Sequence, residues 1–478
     1  METRKTLIGF SRGAAVGTAL LLSACQTFSP DGGMDVVAAI AGNELRQDVV
    51  AIRTPEQAEA ARAAVVRLLG RPLAANAAVQ VALLNNRGLQ AAYNELGLAE
   101  AALVEASRPP NPTFSIERLA GPLELEIERR IVGNILALAT LPARAEIASG
   151  RFRQAQLRAA EETLRLAAET RRSYFRAVAT REIVGFLTQA KTAAETATKL
   201  AERLGETGAL NKLDQAREQV FYAEITAQLA RARQAAASEH ERLVRLMGLW
   251  GEDLKFKLPN ALTTMPGRPP GLGDAEVEAI RRRVDLKVAR LEVEAIAKTY
   301  GLANATRFIN LLEVAGIERT STDRPTGTRI RDRGFELEFQ IPIFDFGEVR
   351  VRQAEQAYLQ AVNRLAEKAV NARSEARDAY RVYRSSYDIA VHYRREILPL
   401  RRIISDETLL RYNAMQIDVF ALLSEARQRI AANVAAIEAA RDFWLASVDL
   451  GAAVAGGGVA GSKAETTGMA APEPAAGH

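Results

Sequence analysis

The sequence predicts a mostly α-helical chain, internally duplicated, with four short amphipathic strands that are too few to close a barrel alone. Three observations lead there. Ala, Leu, Arg and Glu dominate the 478 residues while aromatics make up only 6%, the composition of long helices rather than of a compact α/β domain. Two pentads, Leu123-Glu124-Leu125-Glu126-Ile127 and Phe335-Glu336-Leu337-Glu338-Phe339, alternate apolar with acidic residues, which puts grease on one face of a strand and carboxylates on the other. Glu169, Arg171 and Tyr174 reappear as Glu375, Arg377 and Tyr380, a second sign of duplication. A soluble sheet could use such strands, and so could a membrane barrel with lipid outside and water inside.

The N-terminus opens with Arg4, Lys5 and Arg12, continues as an apolar run from Gly13 to Leu22, and reaches Leu22-Ser23-Ala24-Cys25. A basic start, a short greasy core and small residues at its end make residues 1–24 a secretory signal rather than a spanning helix. Cys25 is the only cysteine, so an internal disulfide is excluded. The site resembles the bacterial lipobox, which implies cleavage before Cys25 and acylation of its thiol, with residues 25–74 as a lipid-anchored N-terminal segment. Gln26 rather than Asp follows, which resembles the outer-membrane sorting choice. No other segment holds 18 consecutive apolar residues, so any membrane crossing would be made by strands.

The remaining elements follow in order. A short helix is expected near 55–69, with Thr54 as cap and Pro55 in the first helical position. Longer helices are expected at about 75–107, 143–204, 212–248, 274–303, 348–410 and 417–450. In the fifth, Ala354, Tyr358, Ala361, Leu365, Ala369, Ala372, Ala376 and Ala379 recur at three-and-four spacing, an alanine-lined seam that lets neighbouring helices approach closely. The strands are expected as two hairpins, about 113–119 with 123–130 and about 308–317 with 334–343. The arginine-rich stretch Arg319 to Arg333 reads as a polar loop between the second pair. Residues 75–257 and 274–450 then form two repeats, residues 258–273 with Pro259, Pro266, Pro269 and Pro270 form a linker, and residues 451–478 form a disordered tail.

Chemistry is sparse. Net charge is +5, and the basic residues are interleaved with acids, which argues against a nucleic-acid partner. The three histidines, His240, His392 and His478, lie on separate elements without metal-ligand spacing. Neither a phosphate-binding glycine loop nor a nucleophile elbow occurs. No enzyme, cofactor or metal is expected.

The run Ala82-Leu83-Leu84-Asn85-Asn86-Arg87 with Leu89-Gln90-Ala91-Ala92, then Pro110-Asn111-Pro112, resembles the TolC-type outer-membrane efflux duct family. So does Gly334-Phe335-Glu336-Leu337 leading into Pro342-Ile343-Phe344-Asp345-Phe346-Gly347. The resemblance covers about residues 70–450. It implies a homotrimer in which four strands per subunit form a twelve-stranded outer-membrane β-barrel and long antiparallel helical hairpins form a periplasmic α-barrel. It also implies a periplasmic adaptor protein and an inner-membrane pump, often of the resistance-nodulation-division class, with passive transport through the duct. The competing reading is a lipid-anchored periplasmic coiled-coil protein without channel activity, whose hairpins form a small soluble sheet.

The resemblance places the periplasmic tip in the turns between long helices, where Gly208, Asp214, Tyr412 and Met415 are the gate candidates. Asp214 and Tyr412 match positions that bond across neighbouring hairpins. Met415 replaces the usual Gly, Ile417 replaces a basic gate residue, and Ala421 and Ser424 stand where some members carry carboxylates. If the apolar residues of the pentads face lipid, Glu124, Glu126, Glu336 and Glu338 face the lumen, giving a field that favours cations.

Overall fold

The computed structural model describes residues 27–208, 210–268, 275–456 and 458. Cys25 and the signal segment, and the tail residues 457 and 459–478, lie outside these residues. The principal helices are α1 Pro55–Leu69, α2 Ala75–Asn85, α3 Arg87–Ala106, α4 Leu141–Glu206, α5 Lys212–Met247, α6 Ala275–Arg282, α7 Val284–Ala305, α8 Glu348–His392, α9 Leu398–Asn413 and α10 Val419–Ala455. The strands are β1 Thr113–Ala120, β2 Glu124–Asn134, β3 Leu312–Asp323 and β4 Arg329–Phe339. No helix among the described residues is long and apolar enough to cross a membrane.

Two compact units emerge, and each draws on both sequence repeats. Of the described residues, the first comprises those within 27–53, 87–162 and 284–371, and the second those within 54–86, 163–283 and 372–458. Within the first unit, β1 to β4 form one antiparallel sheet in sequence order. Residues upstream of α1 are strapped to the unit's helices: Ser29 donates through its backbone N and Oγ to buried Glu100 at 2.6 and 2.5 Å. Gln90 accepts from the backbone of Ile52 at 2.9 Å and donates to Val50 O at 3.2 Å. The alanine seam of α8 is buried where it was expected, Ala361 in this unit and Ala372, Ala376 and Ala379 in the second.

The second unit is a helical assembly. Tyr383 and Tyr387 of α8 pack on Phe443 of α10 with Ala379, Ala390 and Ala446 filling between them, and Trp444 stacks on Phe175 at 5.1 Å. Two ion pairs lie beside this core, Arg172 to Asp449 at 2.5 Å and Arg283 to Glu375 at 2.6 Å. Residues 258–268 are tied to it as well, Leu262 N donating to Glu182 at 2.8 Å and Tyr387 donating to Gly267 O at 2.6 Å. Thr54 caps α1 through a reciprocal capping box with Gln57, and Pro55 occupies the first turn, as the sequence required.

Four expectations are corrected. The helix foreseen over 75–107 breaks at Asn86, whose ψ of 114° leaves the helical region. There Asn85 donates to the carbonyls of Met247 and Gly248 at 3.2 and 2.7 Å and Asn86 to that of Leu246 at 2.9 Å, satisfying orphan carbonyls at the end of α5. The stretch Arg319 to Arg333 is mostly strand: β3 runs to Asp323 and β4 starts at Arg329, with a turn in which Gly327 N donates to Asp323 O at 2.8 Å. The helix foreseen to end at 450 continues to Ala455, because Ala452, Ala453, Val454 and Ala455 are buried. Finally, α8 and α9 are joined by a π-helical turn, Tyr393–Ile397. Pro399 lacks the N–H that an uninterrupted helix would direct at the carbonyl of residue 395, and a widened turn just before it absorbs that loss.

Candidate functional site

In the first unit, β1 pairs with β2, β2 with β3 and β3 with β4 in one continuous antiparallel register. Directly opposed residues share a face and neighbours along a strand alternate, so the register assigns every side chain. One face carries nine carboxylates, Glu117, Glu124, Glu126, Glu128, Glu313, Asp323, Asp332, Glu336 and Glu338, against two arginines, Arg130 and Arg319. The opposite face carries five arginines, Arg118, Arg129, Arg329, Arg331 and Arg333, against the single carboxylate of Glu318.

Side-chain contacts agree with this sorting. On the acidic face Arg319 bridges Glu126 at 2.6 Å and Glu128 at 2.9 Å, and Arg130 lies 3.0 Å from Glu336 and 3.9 Å from Glu338. Ser321 donates to Glu124. On the other face Glu318 gathers Arg333 at 3.1 Å, Arg129 at 3.3 Å and Arg331 at 3.8 Å.

Glu124, Glu126, Glu336 and Glu338 therefore stand on one side of one sheet. The two pentads that contain them occupy opposite ends of their strands: the first begins at the turn end of β2, the second ends where β4 leaves the sheet toward α8. The apolar residues of the second pentad are exposed on the arginine-bearing face, Phe335 at 85%, Phe339 at 56% and Leu337 at 53%, while Leu125 and Ile127 of the first are half-buried there. Phe114, Ile116 and Ile131 share that face and are exposed as well. Sequence reasoning missed Arg130 and Arg319, the cations that partly neutralise the acidic face. The alternation of Arg329, Arg331 and Arg333 with Ile330, Asp332 and Gly334 is a period-two signal that would have extended the strand.

The second unit holds the turns between α4 and α5 and between α9 and α10. Gly208 takes φ 75° and Met415 takes φ 58°, so both turns use the left-handed conformation, free for Gly and costly for Met. Asn211 and Asp418 cap α5 and α10, each accepting from the backbone N–H three residues on, at 2.8 and 2.9 Å. Asp214 accepts from Asn211 at 2.7 Å and pairs with Arg217 at 3.0 Å. Tyr412 packs against Ala194, Phe221, Ile225, Val419 and Leu423. Within this chain the Asp214 carboxylate and Tyr412 are thus engaged with different neighbours. Ile417 is half-buried; Ala421 donates its N–H to Asp418, and Ser424 is half-buried on α10. A shallow groove nearby is lined by Leu213, Val220, Phe420 and Leu423 with Arg217 and Arg427 at its rim, and Arg217 lies over the Phe420 ring at 5.0 Å.

Among the described residues no group of His, Cys, Asp or Glu could hold a metal ion. The helical hairpins with a single four-stranded sheet are the fold of outer-membrane channels. The channel OprN matches with TM-score 0.68 and 18% identity over 89% of this chain and 96% of that one. The CmeC outer membrane channel of Campylobacter jejuni matches with TM-score 0.67 and 18% identity over 80% and 86%. The MtrE channel of Neisseria gonorrhoeae, solved in its open state, matches with TM-score 0.65 and 14% identity over 80% and 88%. Residues 277–404 match the family model for outer membrane efflux protein, so the chain carries an outer membrane efflux protein domain. A search of curated protein sequences finds no match. The fold is that of outer-membrane efflux channels.

Proposed function

We propose that the protein is the outer-membrane component of a tripartite efflux system, a passive exit duct that receives its cargo from an inner-membrane pump through a periplasmic adaptor. The observation that carries this reading is the charge-sorted sheet with two open edges. β1 and β4 are its outer strands, and unpaired edges cannot stand in hydrocarbon, where every backbone N–H and C=O needs a partner. Three copies joined β4 to β1 give twelve strands and no edge. Three of the strands, with 11, 12 and 11 residues, reach the roughly 9–11 residues a tilted strand needs to cross a bilayer, and β1 has 8. The acidic face becomes the water-filled lumen, and Phe335, Leu337 and Phe339 meet lipid.

A soluble periplasmic sheet would bury those three residues against protein, and here they are exposed. The turns holding Gly208, Asp214, Tyr412 and Met415 form the periplasmic tip in this reading, and the groove beside Phe420 receives an apolar helix of the adaptor. Acylated Cys25 anchors the N-terminus in the outer-membrane lipid. Cysteines placed singly along β1 and β4 test the assembly. Cross-links between chains that convert monomer into a covalent trimer support it, and cross-links only within a chain overturn it. Mass spectrometry of the mature N-terminus tests the anchor: a diacylglyceryl-modified Cys25 is expected, and an unmodified thiol refutes it.

A further inference from the structure

The arginine-bearing face is divided along its length. Counting cross-strand rows from the turn end, Arg329 stands in the first, Arg118 and Arg331 in the second, and Arg129 and Arg333 with Glu318 in the third. The fourth row is Phe114, Ile131 and Phe335, and the rows beyond it toward the helices are apolar through Phe339. Arginine stops at the third row, although Ile116 and Ile127 share the arginine rows. Below the third row the apolar surface continues past the sheet in exposed Ile341, Ile343 and Phe344. If this face meets lipid, as the proposed function requires, an arginine at mid-bilayer depth is strongly destabilising and one near the interface is almost neutral. The hydrocarbon is therefore centred on the apolar rows, with the arginine rows toward its turn-side edge. Rows two residues apart advance about 7 Å along a strand, so the three arginine rows span about 14 Å along it, or roughly 11 Å of depth at a tilt of about 40°.

We infer that this girdle is a binding surface for phosphate-bearing lipid headgroups in the leaflet on the turn side of the sheet. Every cation in it is Arg and none is Lys, and the guanidinium fork matches phosphate oxygens in pairs where an ammonium offers a point charge. Five arginines face one carboxylate, and that carboxylate sits among three of them, holding their side chains in a cluster while leaving a large positive excess. A trimer repeats the patch three times around the barrel. Its occupant is a lipid because the girdle is continuous with the apolar band: one molecule can place acyl chains on Phe335 and Leu337 and phosphates on Arg331 and Arg333.

The test titrates the purified full chain in detergent with bisphosphorylated lipid A, with the same lipid stripped of its phosphates, and with inorganic phosphate, following thermal unfolding. The wild type is expected to bind the bisphosphorylated lipid at least about tenfold more tightly than either comparison ligand. Arg129→Gln, Arg331→Gln and Arg333→Gln together should erase that preference, while Arg130→Gln with Arg319→Gln on the opposite face should keep it. Arg331→Gln alone should weaken it several-fold and serves if the triple variant fails to fold. Equal binding of the dephosphorylated lipid, or of free phosphate, overturns the inference. So does a girdle variant that conducts in planar bilayers and retains full preference for lipid A. Loss of conductance in the wild type would instead overturn the underlying channel reading.

Discussion

Arg130 of β2 reaches past β3 to Glu336 of β4 at 3.0 Å, so the acidic face is not a plain ring of free carboxylates. Arg130 also lies 3.9 Å from Glu338, and two of the four glutamates expected in the lumen are thereby partly neutralised. Nine acids still face two arginines there, and rings of carboxylates favour cations. The sign of selectivity follows from the imbalance. Arg130→Gln should raise the cation-to-anion permeability ratio, and Glu336→Gln with Glu338→Gln should lower it. Reversal potentials across a salt gradient in planar bilayers measure both, and shifts in the opposite sense would contradict the face assignment.

Met415 holds φ 58° and is 94% exposed, so its side chain recovers little packing for the strain of its backbone. Met415→Gly is expected to stabilise by up to about 1 kcal/mol, the relief of strain less the greater freedom of Gly in the unfolded chain. Gly208→Ala, at φ 75° with open space around it, should cost about 1 kcal/mol through backbone strain alone. Thermal denaturation of the detergent-solubilised protein compares the two.

Gly248 closes α5 at φ 65°, and a Cβ there would lie 2.8 Å from the carbonyl oxygen of Asn85. Gly248→Ala combines a strained left-handed backbone with a clash against main chain, whereas Asn85→Ala removes hydrogen bonds to two carbonyls. The alanine at 85 should cost about 1–3 kcal/mol and the one at 248 more. Urea midpoints in the same detergent order them, and a milder Gly248→Ala would show that the helix end relaxes.

Glu161 of α4 is half-buried in the first unit, and desolvation first, then the nearby charge of Asp285, pushes its carboxyl from 4.5 up to about 7; Glu162 acts in the same direction, and Lys368 and Arg158 oppose it. Because its folded value lies above its unfolded value, folding favours the protonated form. The penalty for ionisation is absent below the unfolded value, grows as pH rises between 4.5 and about 7, and is complete above. Glu161→Gln should therefore raise the melting temperature at pH 8 and leave it nearly unchanged at pH 4.5. A shift equal at both would place the carboxyl in an ordinary solvated setting.

The helices were legible because their signals are local: Thr54 and Pro55 announce α1, and the alanine spacing of α8 names its own buried face. The break at Asn86 was not, since it is set by carbonyls 160 residues away. Arginines between 319 and 333 read as a solvated loop because charge outweighed alternation, yet cross-strand pairing with Glu126, Glu128 and Glu318 holds most of them in strands. The acidic pentads gave the sheet's polarity, but only the register shows that acids and arginines take opposite faces. Gly451 suggested a tail, and burial of the four residues Ala452 to Ala455 carried the helix past it.

Single-channel recording of the purified protein in a planar bilayer tests the central claim most directly. A trimer that opens a long-lived, cation-preferring conductance is the predicted result, and a water-soluble monomer that conducts nothing would contradict it.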